Sequence, residues 1–241
     1  MASNYWSDTR APRYSLIFAF PLLVAYEWLA RVLAGEEGVR NGADVLLKSL
    51  FVLLGGRHGL TIFAAVLLGT GLVLIVLDWR KSGAPRGIYF AGMLGESVVY
   101  ALLFGAVTST LTGLLLRGAG ALSIAGEPGL ALPNQIMVSL GAGIYEELLF
   151  RVVLVSALAK LGTAGFHWRP WAAGMFATLG GAAIFSAFHY IGPLGDRLEL
   201  GSFVFRMVAG MLLSGLFLLR GFGVTAWTHA LYDVFLAVAG I

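Results

Sequence analysis

Seven long apolar stretches dominate the sequence, and each is long enough to cross a lipid bilayer as a helix. A transmembrane helix needs about 20 predominantly apolar residues, and helices satisfy their backbone hydrogen bonds internally when they are in lipid. The stretches cover residues 14–34, 58–78, 88–116, 134–159, 170–191, 202–220 and 223–240. The apolar segment 44–55 is too short to cross, which predicts an interfacial or re-entrant helix, or an eighth partial span. The sequence therefore predicts an all-α, polytopic membrane protein with about seven to eight transmembrane helices.

The composition agrees with a membrane environment. The chain of 241 residues is 59% hydrophobic and 12% charged, whereas a soluble domain carries about 25% charged residues. Glycine is abundant, with 33 residues, which suits close packing between transmembrane helices. The absence of cysteine excludes disulfides, thiolate catalysis and cysteine-ligated metal sites. Because the chain has no linker or low-complexity segment, we expect residues 1–241 to form a single integral membrane domain.

Three ionisable residues lie within six positions of the fourth stretch, in the run EELLFR at 146–151. An ionisable group at the bilayer centre costs roughly 2.5–3.5 kcal/mol on insertion scales, so such groups indicate function or a structural pair. Glu147 and Arg151 are four positions apart on one helix face, which predicts an ion pair. Glu146 faces another direction and is available to hold a water molecule as a general base. Alternatively, both glutamates bind neighbouring helices or line a polar pore.

Two histidines lie in later apolar stretches. His189 ends the run FSAFH at 185–189, and His229 lies four positions before Asp233 in the last stretch. An aspartate within hydrogen-bond reach fixes the tautomer and orientation of an imidazole. The structural alternatives are a packing role for His189 and a local polar contact between His229 and Asp233.

Other charged residues lie in the remaining stretches. Glu27 and Arg31 are four positions apart, which predicts a local pair. Arg206 is predicted to pair with an acidic residue such as Asp233, Glu199 or Glu96, or to bind a substrate carboxylate. The sequence identifies no partner for Glu96.

The motifs together resemble those of a known family. Glu146-Glu147-x-x-x-Arg151, Phe185-x-x-x-His189 and His229-x-x-x-Asp233 occur in this order on separate apolar stretches. In this respect the sequence resembles the CAAX protease and bacteriocin-processing (CPBP) family of intramembrane endopeptidases, which includes the type II CAAX prenyl endopeptidases. The resemblance covers residues 134–241. The N-terminal half is similar only in being helical and apolar.

The resemblance implies hydrolysis of a peptide bond in a membrane-associated peptide or protein, in some members at its C-terminal region. Glu146 would activate the attacking water, and His189 would help to hold that water. Glu147 and Arg151 would form the supporting pair of the first motif. The lipid bilayer is the other expected partner, and nucleic acid is not expected, since basic patches interleaved with aromatic residues are missing.

The resemblance also implies that His229 and Asp233 stabilise the oxyanion. Position 233 is often Asn in the family, and an ionised Asp accepts hydrogen bonds but cannot donate one. We therefore expect Asp233 to orient His229, which acts as the donor. Glu146, His189 and His229 are also a possible zinc set. We favour a reaction without a metal or other cofactor and keep zinc as the alternative.

Two other function classes fit the sequence. One is a proton-coupled transporter with a relay of Glu96, Glu146, Arg206 and Asp233. It would predict internal symmetry between the two halves, which the sequence lacks. The other is a catalytically idle membrane assembly factor that keeps the motifs for structure. The expected location is a multi-pass position in a cell membrane, and the small chain favours a prokaryotic one.

The predicted spans place the two histidines at different depths. The distribution of Lys and Arg favours an N-terminus inside the cell, which puts His189 near the outer end of the fifth span and His229 near the inner start of the seventh. A shared site requires similar depths. Either the fifth helix begins after Pro170 and runs past Tyr190, or the segment 191–201 dips back into the protein.

Overall fold

A computed structural model describes residues 4–33, 39–116, 130–192 and 195–240. These residues form helices joined by turns, with no strand among them. The helices are α1 Tyr5–Asp8, α2 Pro12–Val32, α3 Gly42–Gly55, α4 Gly59–Ser82, α5 Gly87–Leu115, α6 Leu132–Gly165, α7 Pro170–Phe188, α8 Leu200–Arg220 and α9 Phe222–Ala239. Within these described ranges, seven helical segments are long and apolar enough to cross a membrane, with α3 and α4 counted together. The predicted all-α, multi-pass class is confirmed.

The short apolar segment after the first span forms a helix of its own, α3. Gly56 follows this helix with a φ of 52°, a conformation that glycine adopts without steric cost. The chain reverses here, because the ring centroids of Phe51 and Phe63 are 5.3 Å apart, whereas a continuous helix would separate them by about 18 Å. Helix α3 therefore packs against α4 as a helical hairpin, and Ala43 and Asp44 of its first turn are buried.

Helix α9 is the central element of the bundle. It contacts α2, α5, α6 and α8, and its residues Val224, Ala226 and Ala230 are fully buried. A Cβ atom on Gly143 of α6 would lie 2.4 Å from the carbonyl oxygen of Ala226 and 2.6 Å from the Cβ of Ala230. Small residues at such contacts let helix backbones approach closely in a membrane. The close approach brings α6 and α9 together next to the acidic residues of α6.

Helix α6 departs from α-helical geometry at its centre. Its hydrogen bonds follow the π-helical i→i+5 pattern over Ala142–Val155 and again over Leu161–Gly165. Such turns are rare and frequently occur at functional sites. The predicted helix over 134–159 is present, but its hydrogen bonding is π-type in the part that holds Glu146 and Glu147. No residue pattern in the sequence indicates the change.

One end of the bundle is held together by partly buried ion pairs. Arg13 lies 3.1 Å from Asp78, which joins the start of α2 to the end of α4. Arg220, at the end of α8, lies 2.8 Å from Glu96 of α5 and donates a hydrogen bond to the carbonyl oxygen of Trp6 at 3.0 Å. These contacts identify the partner of Glu96 and hold α1, α2, α4, α5 and α8 together at this end.

Candidate active site

Glu147 and Arg151 form the structural centre of the site. Arg151 Nη1 lies 3.2 Å from Glu147 Oε1, which also accepts a hydrogen bond from His229 Nδ1 at 2.7 Å. The predicted Glu147–Arg151 pair is therefore confirmed, and His229 joins it. Arg151 also places its guanidinium over the Phe185 ring at 4.4 Å and Nη2 at 3.5 Å from the carbonyl oxygen of Gly210. This group ties α6 to α7, α8 and α9.

Glu146 contacts a different set of groups. Its Oε1 accepts a hydrogen bond from Asn41 Nδ2 at 2.8 Å, and its Oε2 lies 4.0 Å from Nε2 of His189. His189 Nδ1 lies 2.9 Å from the carbonyl oxygen of Phe185. Because a carbonyl oxygen only accepts, Nδ1 carries the hydrogen and Nε2 is the nitrogen that faces Glu146. The Glu146 side chain is 8% exposed and that of His189 is 26% exposed, so His189 is the more solvent-accessible of the two residues.

His229 lies between two carboxylates. Its Nδ1 donates to Glu147, and its Nε2 lies 3.5 Å from Oδ2 of Asp233. The predicted juxtaposition of His229 and Asp233 on one face of the last helix is present. The ring of Phe185 lies 4.9 Å from the ring of His189 and 6.2 Å from that of His229. Phe185 therefore packs near both imidazoles of the site.

The structure brings all the predicted site residues into one cluster. They are Glu146, Glu147, Arg151, His189, His229 and Asp233. The depth conflict between the two histidines is absent, although α7 begins at Pro170 as predicted and ends at Phe188, before Tyr190. The two histidines lie at one depth because they contact adjacent glutamates of α6, His189 at 4.0 Å from Glu146 and His229 at 2.7 Å from Glu147. After α7 the chain folds back, since the backbone N–H of Asp196 donates to the carbonyl oxygen of His189 at 3.0 Å.

Arg206 binds a partner that the sequence did not identify. Its guanidinium forms an ion pair with Asp196 of the folded-back segment and donates to the hydroxyl of Tyr190 at 3.1 Å. Since Glu96 is paired with Arg220 at the end of the bundle that the ion pairs hold together, the charges proposed for a transport relay do not form one cluster.

Glu27 also differs from its predicted pairing. Instead of Arg31, it binds Lys48 of α3 and the hydroxyl of Tyr145 of α6, each at 2.6 Å. Arg40 lies 3.7 Å from the same carboxylate. The partners come from other elements, which sequence spacing within one helix cannot reveal.

The residues of the alternative zinc set are not arranged as metal ligands. Across residues 4–33, 39–116, 130–192 and 195–240, no three His, Asp or Glu side chains are grouped so that they could hold a metal ion. Both ring nitrogens of His229 face carboxylates, and one oxygen of Glu146 is bound by Asn41. As folded, the set of Glu146, His189 and His229 does not fit a zinc ion.

Asn41 is the neighbour of the site that the sequence analysis missed. It lies 105 residues before Glu146 and is only 3% exposed. In the sequence it is one polar residue before a short apolar segment, as expected for any residue that caps a helix. Nothing in that pattern connects it to Glu146, because the contact depends on how α3 packs against α6.

The fold and the site define an integral, multi-pass membrane protein with a buried glutamate–histidine centre. Comparison with protein families finds a similarity in the part of the chain that contains this centre. Residues 128–235, fewer than half of the chain, match the family described as type II CAAX prenyl endopeptidase Rce1-like, and the predicted resemblance is confirmed over these residues. The family indicates intramembrane CAAX endopeptidase activity on a membrane-associated protein or peptide. Comparisons with curated proteins and with solved structures return no match.

Proposed function

We propose that the protein is an intramembrane endopeptidase that hydrolyses a peptide bond of a membrane-associated substrate with a water molecule activated by Glu146. The observation that carries this proposal is the 4.0 Å separation between Glu146 Oε2 and His189 Nε2. Two acceptors at that separation suit one shared water molecule, since each hydrogen bond to it would be about 2.8 Å long.

In the proposed reaction the water donates one hydrogen to Glu146 and the other to Nε2 of His189. The Phe185 carbonyl holds the hydrogen on Nδ1 of His189, so Nε2 remains an acceptor. The water oxygen then attacks the scissile carbonyl carbon, and Glu146 takes the proton as the new C–O bond forms. Glu146 returns that proton to the leaving amine when the C–N bond breaks.

His229 is the proposed donor to the oxyanion that forms on the carbonyl oxygen. Glu147 accepts from Nδ1 and fixes the ring orientation, which leaves Nε2 on the side of Asp233. This role requires a hydrogen on Nε2 in addition to the one on Nδ1 that Glu147 accepts. Asp233 orients the ring and does not itself donate, because an ionised carboxylate only accepts. A fixed donor of this kind stabilises the charge that develops in the transition state.

The proposed reaction uses no metal or other cofactor. Support comes from His229, whose two nitrogens are engaged by carboxylates, and from Glu146 Oε1, which is engaged by Asn41. The proposed substrate is cleaved in its C-terminal region, as in prenylated proteins, and a prokaryotic cell membrane is the expected location.

The test is cleavage of a quenched-fluorescence peptide library by the protein purified in detergent. We expect the wild type to cleave with or without a chelator, and both Glu146→Gln and His229→Ala to be inactive. Glu199→Gln, which makes the same change at an exposed position, serves as the matched control and should cleave like the wild type. Loss of cleavage in chelator would overturn the metal-free reaction. Equal cleavage by Glu146→Gln and the wild type would overturn the role of Glu146.

A further inference from the structure

We infer that Asn41, which lies outside the family-matched residues 128–235, is a positioning residue that holds the Glu146 carboxylate in its reactive orientation. The inference rests on the proposed function. Asn41 Nδ2 donates to Glu146 Oε1 at 2.8 Å, and the two residues are 3% and 6% exposed. A hydrogen bond from a neutral amide to a buried carboxylate is among the stronger hydrogen bonds in proteins.

The orientation of the Asn41 amide is fixed by the start of helix α3. Its Oδ1 accepts a hydrogen bond from the backbone N–H of Ala43 at 2.9 Å, as expected of an N-cap residue. The amide oxygen is therefore directed to the helix, and the NH₂ group is the part that faces Glu146. Asn41 thus acts as a donor to the carboxylate because its acceptor is already in use.

The backbone of Asn41 is held from a second side. Its N–H donates to the hydroxyl of Tyr26 at 3.2 Å, and that hydroxyl donates to Asp44 Oδ2 at 2.8 Å. Asp44 in turn forms ion pairs with Arg40 at 2.9 Å and with Lys48 at 2.6 Å. Helices α2 and α3 together hold the donor, so Asn41 has little freedom to follow a displaced carboxylate.

Helix α6 provides the space that this contact needs. A Cβ atom on Gly141 would lie 2.7 Å from the Cβ of Asn41 and 2.6 Å from Cε2 of Tyr26. Only a residue without a side chain lets the start of α3 approach α6 so closely. The missing side chain at Gly141 therefore lets the start of α3 lie against α6 beside the candidate site.

The hydrogen bond from Asn41 makes the two carboxylate oxygens of Glu146 inequivalent. Asn41 binds Oε1, which leaves Oε2 facing Nε2 of His189. Without the amide donor the carboxylate can rotate, and both oxygens then lose their fixed relation to the water and the substrate. Small misplacements of a catalytic group reduce rates by as much as about a hundredfold.

The decisive variant is Asn41→Asp, which keeps the oxygen that caps α3 but replaces the donating NH₂ with a second acceptor. We expect kcat to fall about ten- to a hundredfold, as for loss of a hydrogen bond to a charged group, with KM little changed. The melting temperature should also fall, because two carboxylates then face each other. Asn4→Asp makes the same change at the cap of α1, where the side chain accepts from the backbone N–H of Trp6, and should alter neither kcat nor stability.

The double variant Asn41→Asp/Glu146→Gln tests the contact without depending on cleavage. It exchanges the donor and acceptor, so the melting temperature should recover toward that of the wild type, while cleavage should be absent because Glu146 is replaced. The inference would be overturned if Asn41→Asp had the kcat and melting temperature of the wild type. It would also be overturned if Asn41→Asp lowered the melting temperature and the double variant did not restore it. Asn41→Ser, which keeps a capping oxygen, replaces Asn41→Asp in the kinetic test if the latter does not fold. If the wild type cleaves nothing, the proposed function fails, and the melting temperatures still decide whether Asn41 holds Glu146.

Discussion

Arg151 has almost no access to solvent, with 1% of its side chain exposed, and its ion pair with Glu147 lies where α6, α7, α8 and α9 meet. Removing one partner of a buried pair leaves an uncompensated charge, which typically costs about 3–5 kcal/mol. We therefore predict a loss of this size in the free energy of unfolding for Arg151→Met, measured by denaturant titration in detergent.

The matched control is the double variant Glu147→Gln/Arg151→Met, which removes both charges of the pair. Residues in direct contact show non-additive effects on stability. We expect the double variant to lose less free energy of unfolding than the two single variants lose together. Additive losses would show that the two side chains do not act as a pair.

Asp233 provides a second test at the residue scale. Since it lies 3.5 Å from Nε2 of His229 and is assigned an orienting role, Asp233→Asn should keep activity near the wild-type level. Asp233→Leu removes the polar contact and should lower kcat about 10- to 100-fold, as for loss of a group that orients another. Steady-state cleavage rates compare the two. Equal activity of Asp233→Leu and the wild type would contradict the orienting role.

Sequence spacing predicts contacts within one helix but not contacts between distant segments. The pairing of Glu147 with Arg151 and the juxtaposition of His229 with Asp233 were predictable, because residues four apart share a helix face. The bond from Asn41 to Glu146 spans 105 residues and was not predictable. It depends on the packing of α3, for which a single sequence contains no signal.

At the scale of elements, the contact between α6 and α9 positions Glu147 next to His229. We predict that Gly143→Ala destabilises the protein by about 1–3 kcal/mol, since the added methyl group overpacks the contact with Ala226. It should also reduce cleavage by moving Glu147 away from His229. The matched control is Gly69→Ala in α4, where an added Cβ meets no atom within 4 Å. Equal melting temperatures for the two variants would contradict the role of this contact.

Hydropathy predicts the positions of the long helices because each must bury a bilayer-length apolar segment. It does not predict where a helix reverses or changes its hydrogen bonding. The turn at Gly56 and the π-type bonds of Ala142–Val155 depend on local backbone geometry and on neighbouring helices. The conflict in depth between the histidines arose from treating the predicted spans as simple rods, whereas His189 and His229 contact the adjacent residues Glu146 and Glu147 of α6.

For the whole molecule, the two ends of the bundle differ. One end holds the partly buried pairs of Arg13 with Asp78 and Arg220 with Glu96, and the other lies near the folded-back segment with Asp196. Lys and Arg residues favour the cytoplasmic side, which predicts that the end with Arg13 faces inside. Long aliphatic side chains such as Leu53, which is 81% exposed, cover the helix surfaces that would face lipid.

The orientation can be tested with single cysteines, because the natural sequence contains none. We predict that Lys81→Cys reacts with a membrane-impermeant thiol reagent from the inside and Arg197→Cys from the outside. Labelling in intact cells and in inverted vesicles distinguishes the two sides. Reaction of both cysteines from the same side would contradict the predicted arrangement of the spans.

Hydrolysis by a water molecule that Glu146 activates is tested most directly by mass spectrometry of a prenylated peptide incubated with the protein in lipid nanodiscs and heavy-oxygen water. We predict that the wild type and Glu199→Gln release a product with heavy oxygen in its new carboxylate, and that Glu146→Gln releases none. A heavy-oxygen product formed by Glu146→Gln at the wild-type rate would contradict the account.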